Sequence, residues 1–286
     1  MKWTIGDIEI FQVIELEAGK IIQSIMPDAT PENIKKMNWL IPDYADENGI
    51  LKALVQSFLI KSQGKYILVD TCNGNNKNRP SMPEWGNLKI KFIEKLNKIG
   101  IVPSDVDYVV CTHLHFDHVG WNTTLINGKW SPTFPKAKYL FSKKEFEYWN
   151  SKPKKEMIDD LLGFEDSVQP IIDAGQAELV DDSFQFDENV SLIPTPGHTP
   201  HHVSIQIQSK DKKALISGDF IYHPCQVEKP EWANTVDTYP DQALETRKKL
   251  IFSLTDSGTL LLGSHFSNPV GGYVNTSGGR LIFKSS

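Results

Sequence analysis

Apolar positions along this chain recur at two spacings, and each predicts a different element. Leu54 to Ile60 and Lys65 to Val69 are strand-like runs on either side of a Ser62-Gln63-Gly64 turn, which together predict a hairpin. Residues 73–87, rich in Asn, Pro and Gly, read as a long loop. Leu88, Phe92, Leu96 and Ile99 then share one stripe at helical spacing, predicting an amphipathic helix over 88–99 with Gly100 just past its end. Further strands are predicted at Asp107–Cys111, Tyr139–Phe141, Val190–Pro194, Val203–Ile207, Ala214–Ser217, Thr259–Leu262 and Leu281–Phe283. Within them Ile205 and Ile207 alternate with Ser204, Gln206 and Gln208, as a half-buried strand requires. Ser142 and Glu145 form a capping box for a helix, 151–175 reads as a helical insertion, and Asp241 caps a helix running to about Leu254. Strands with helices outside them predict an α/β sandwich in one domain, 1–286, with no internal repeat.

The chemistry concentrates in Cys111-Thr112-His113-Leu114-His115-Phe116-Asp117-His118-Val119-Gly120, which holds three of the eight histidines. An extended chain points residues two apart to the same side, so His113 and His115 can grip one ion. The chain then turns, and Asp117 and His118 can face a second. Nitrogen and carboxylate donors suit Zn²⁺, and also Mn²⁺, Fe²⁺ or Co²⁺. A separate rule points the same way, because sites in α/β sheets gather at the carboxyl ends of strands. Four predicted strands each lead into a metal-binding type of side chain just past their end: His113, His198, Asp219 and His265.

The His113–His118 motif resembles the signature of the metallo-β-lactamase superfamily. So do Pro194-Thr195-Pro196-Gly197-His198-Thr199-Pro200, Ser217-Gly218-Asp219 and Gly263-Ser264-His265. The resemblance runs from about Leu54 to His265 and is nearest the branch of acyl-homoserine lactonases and methyl parathion hydrolase. It implies a four-layer αββα sandwich with two metal ions, most simply zinc. His113, His115 and His198 would bind the first, Asp117, His118 and His265 the second, and Asp219 would bridge both. Asp70 would be a carboxylate that orients a ligand histidine. Tyr222 stands where the lactonases carry a tyrosine whose hydroxyl assists the carbonyl, and His223 competes for that role. His201 and His202 are the alternatives to His198, and His202 fits better as a residue packed under the site. His201 departs from the family pattern, which has glycine there. Residues 1–50 match nothing in the family pattern and are expected to serve as a lid or a dimer segment. Phe116, Trp121 and Phe266 flank ligands, and core packing is their expected role.

Two divalent ions bring +4, and Asp117, Asp219 and a bridging hydroxide remove three, leaving about +1 to polarise a carbonyl. The expected reaction is hydroxide attack on an ester-type carbonyl, with a small lactone favoured, and Asp117 or Asp219 returning a proton to the leaving oxygen. A phosphotriesterase or thiolesterase is the nearest rival. A di-iron redox protein or a non-catalytic metal sensor is the alternative of another class.

Composition changes this little. A net charge of −6 argues against nucleic-acid partners, which need clustered Lys and Arg. No apolar run is long enough to span a membrane, and the acidic first 20 residues do not resemble a signal peptide. A cytoplasmic protein is expected, and a homodimer is the assembly that analogy suggests. Cys72, Cys111 and Cys225 have no CxxC spacing and are expected to be reduced, buried thiols.

Overall fold

The computed structural model describes residues 1–153 and 155–286, so Lys154 of the expected insertion lies outside the described residues. The chain divides into two compact units, Met1–Glu15 with Val55–Asp187, and Leu16–Leu54 with Glu188–Ser286.

The first unit is built on a seven-stranded sheet. β1 (Lys2–Ile5) and β2 (Ile8–Glu17) form an antiparallel hairpin, with Ile5 opposite Ile8 across the tight turn at Gly6. β3 (Leu54–Ser62) and β4 (Lys65–Val69) are the predicted hairpin, with Ser62 opposite Lys65. β5 (Tyr108–Val110) then lies parallel to β4. A separate ribbon, β6 (Thr123–Ile126) with β7 (Lys129–Pro132), precedes β8 (Lys138–Ser142) and β9 (Ala177–Val180). The sheet order is β1-β2-β3-β4-β5-β8-β9, and its last three pairings are parallel. Parallel strands are buried on both faces and read as continuous apolar runs, as Val109, Val110, Leu140 and Phe141 do.

The second unit carries a six-stranded sheet in plain sequence order: β10 (Val190–Pro194), β11 (Val203–Ser209), β12 (Lys212–Ile216), β13 (Leu260–Leu262), β14 (Gly271–Ser277) and β15 (Arg280–Ser285). Only β12 and β13 pair in parallel, and the helix Pro240–Leu254 lies in the connection between them. Ile205 and Ile207 are buried and Gln208 is exposed, as the alternation predicts, but Ser204 is buried as well, its hydroxyl donating to Ser217 O at 2.7 Å.

Three local expectations are corrected. The helix expected over 88–99 spans only Phe92–Lys98. Its first turn is lost because Asn75 takes the backbone of Ile90 at both ends: Oδ1 accepts from Ile90 N at 2.7 Å and Nδ2 donates to Ile90 O at 2.9 Å. Gly100 does end the helix, at φ +84°, donating to Asn97 O. Asp241 sits in the first turn of Pro240–Leu254 and is not its cap, because Pro240 takes the first position, where its missing N–H costs nothing. Of the Ser142–Glu145 capping box, Ser142 accepts from Glu145 N at 3.2 Å, while the Glu145 carboxylate accepts from Trp149 Nε1 at 2.7 Å. The insertion is helical, as Ile158–Gly163, a π-turn Phe164–Val168, and Gln169–Asp173. All three cysteines are free and buried, and burial pushes the Cys72 and Cys111 thiols well up. No helix among the described residues is long and apolar enough to cross a membrane.

Candidate metal centre

In the first unit the ligand-type residues follow β5. His113 is fully buried, and its Nε2 lies 3.1 Å from His115 Nδ1. The His113 ring sits 4.1 Å from that of His118, centroid to centroid. The short helix Phe116–Val119 then places His118 Nε2 3.7 Å from Asp117 Oδ2. Asp70, at the end of β4 with φ +54°, holds this segment from below. Its carboxylate accepts from Thr112 N at 2.7 Å and from the Thr112 hydroxyl, and Oδ2 lies 2.9 Å from His118 Nδ1. Bonding at Nδ1 leaves Nε2 as the lone-pair nitrogen, the tautomer a metal ligand needs.

Several supports of this half had no local signal. Trp149 packs its ring edge-on against His115 at 5.3 Å and is anchored by Glu145, which also accepts from Leu114 N at 3.4 Å. Asp160, from the helical insertion, accepts from Phe116 N at 3.2 Å, and its burial pushes its carboxyl well above the ordinary range. Glu15 of β2 accepts from Asn73 N, Gly74 N and Trp121 Nε1, the last at 2.6 Å. That carboxylate fixes the backbone where Gly74 and Gly120 touch: a Cβ on Gly120 would meet Asn73 O at 1.9 Å. Phe116 and Trp121 are buried among aromatics, the first beside Trp85 and the second stacked on Phe92, as core packing predicts.

In the second unit, Asp219 Oδ2 faces two imidazoles, His265 Nε2 at 3.3 Å and His198 Nε2 at 3.7 Å. The far nitrogens are held by other groups. His265 Nδ1 lies 2.9 Å from Leu54 O, and His198 Nδ1 lies 3.0 Å from Asp237 Oδ1. His202 packs beneath: its Nε2 accepts from Asp219 N at 2.8 Å, and its Nδ1 faces Thr195. The Tyr222 hydroxyl is 3.3 Å from His198 Nε2, and its ring stacks on His265 at 5.3 Å. His223 faces elsewhere. Its Nε2 lies 2.9 Å from Tyr44 O, its Nδ1 accepts from Cys225 N, and burial lowers its pKa to about 4. Of the two competitors, Tyr222 is the one beside the ligand-type histidines. Phe266 is fully buried against Phe283, again as core.

These separations bear on a metal. Two ligands at 2.0–2.2 Å from one tetrahedral ion lie roughly 3.3–3.6 Å apart. The pairs within each unit, at 3.1, 3.7, 3.3 and 3.7 Å, are close to that spacing. The donor set of imidazoles and carboxylates fits divalent ions of the zinc kind.

A family model of the metallo-beta-lactamase superfamily matches residues 53–265. The chain belongs to that superfamily. An N-acyl homoserine lactonase from a Bacillus species is 29% identical over 134 residues, 46% of this chain and 45% of that protein. Another, from Bacillus cereus, is 27% identical over 180 residues, 58% of this chain and 63% of its own length. The chain thus spans from about half to under two thirds of the curated relatives it matches. Among solved structures, AidC, described as a dizinc quorum-quenching lactonase with a bound product, is 20% identical at a TM-score of 0.79, covering 100% of this chain and 97% of its own. Such likeness shows the fold, the α/β sandwich that the motifs implied for this superfamily.

Proposed function

We propose that this superfamily member is a metal-dependent hydrolase of ester-type carbonyls, with a lactone as its substrate class. The ligands in this reading are His113, His115, Asp117, His118, His198, Asp219 and His265, holding two divalent ions, zinc in the first instance. The observation that carries it is the second unit's arrangement: one Asp219 oxygen faces both His198 and His265, with the Tyr222 hydroxyl alongside. The lactonase names of the relatives support the lactone.

When bound, two divalent ions acidify a water near neutral pH and polarise a carbonyl. The chain's own residues do the rest. Asp70 and Asp237 set the tautomers of His118 and His198, so each presents Nε2. In this reading the Tyr222 hydroxyl donates to the carbonyl oxygen as negative charge develops there, a role supported by its position 3.3 Å from His198 Nε2. Asp219 or Asp117 can return a proton to the leaving alkoxide, which opens the ring.

The test is kcat/KM of zinc- or manganese-loaded protein across γ-lactones of increasing acyl length, with a phosphotriester alongside. Values near or above ~10⁴ M⁻¹s⁻¹ on one lactone, lost in His118→Ala, would establish the reading. Uniformly feeble rates on lactones would sink it, and a higher rate on the phosphotriester would replace it.

A further inference from the structure

Behind His198 lies a polar chain whose members no sequence motif marks. His198 Nδ1 meets Asp237 Oδ1 at 3.0 Å, and the other oxygen of Asp237 meets Arg247 Nη2 at 3.3 Å. Arg247, on the helix Pro240–Leu254, is fully buried. Its Nε donates to Phe220 O at 2.9 Å, the carbonyl of the residue directly after Asp219, and its Nη1 donates to Pro230 O at 2.9 Å. One planar guanidinium therefore fixes both the carboxylate that holds His198 and the backbone that carries Asp219. The same loop also ties the histidine's main chain, since Thr238 N donates to His198 O at 2.8 Å.

A buried arginine with a buried aspartate stabilises a fold poorly, because desolvation offsets most of the attraction. It does fix geometry, since the fork of donors leaves little rotational freedom. We infer that Asp237 and Arg247 are positioning residues that pre-set His198 and Asp219 for metal and thereby raise the protein's metal affinity. This rests on the proposal that His198 and Asp219 are metal ligands.

The experiment is zinc affinity of the full chain by competition with a chromophoric chelator, with the melting temperature of the metal-free protein measured in parallel. Asp237→Asn and Arg247→Lys are each expected to weaken zinc binding about 10–100-fold. Ile251→Ala, a buried change on the same helix, should lower the melting temperature without moving the affinity. Wild-type affinity in folded Asp237→Asn, or an equal loss in Ile251→Ala, overturns the inference. If Asp237→Asn does not fold, Arg247→Lys decides by the same criterion. If the wild type binds no zinc, or His198→Ala binds it as tightly as wild type, the metal reading itself has failed.

Discussion

Gly197, directly before His198, has φ +131°, a conformation in which side chains are strained. Adding a methyl group there meets backbone, not side chain: the Cβ would lie 2.2 Å from Ala243 N, 2.4 Å from Ala243 Cα and 2.7 Å from Gln242 C. The strain term is of order 1–3 kcal/mol, and forcing packed backbone apart adds about 1–3 kcal/mol. Gly197→Ala should therefore destabilise the protein by about 2–6 kcal/mol. The helix start cannot simply retreat, because Tyr239 N donates to Gly197 O at 2.9 Å and Thr238 N donates to His198 O. The displacement falls instead on His198, so zinc affinity should drop with stability. Urea unfolding reads the first effect: at about 3 kcal/mol per M the midpoint falls by about 0.7–2 M. Chelator competition reads the second. A stability change under about 0.5 kcal/mol with unchanged zinc affinity would refute the argument that this glycine is required by backbone contact.

Lys77 is buried beside Arg79 and the half-buried Asp166, donates to Thr123 Oγ1 at 2.6 Å, and burial lowers its pKa to about 7 against the attraction of Asp166. Between pH 7 and 10.5 the unfolded chain then binds more protons than the folded one, so stability should rise with pH there, by at most about 1.4 kcal/mol per pH unit. Lys77→Met should flatten that rise, and equal slopes in the two proteins by urea unfolding at pH 7, 8 and 9 would contradict this. Tyr222→Phe should lower lactone kcat on the order of 100-fold with a smaller change in KM, and unchanged turnover would remove Tyr222 from the reaction. Asp70→Asn should weaken zinc binding at least about 10-fold by removing the anion behind His118, and wild-type affinity measured by chelator competition would count against that role.

Much of the candidate centre was legible in the sequence because it is written locally. His113 and His115 share a side of an extended segment, and His198, Asp219 and His265 each follow a strand whose apolar run is visible in the chain itself. The hairpin at Ser62-Gln63-Gly64 and the exact span Val190–Pro194 were local in the same sense. The first hairpin was hidden, because β2 buries Gln12 and Glu15 at positions where alternation would have shown apolar residues. The helix start at Phe92 was decided by Asn75, and Tyr222 was separated from His223 by the carbonyl of Tyr44, 179 residues away. Asp237 reaches His198 across 39 residues, and Glu15 reaches Trp121 across 106. The sequence determines which donor atoms exist and which face of their own element they occupy. Their tautomers, supports and rivals are decided by polar groups that burial deprives of water and that folding brings in from distant segments, and no local period records those partners.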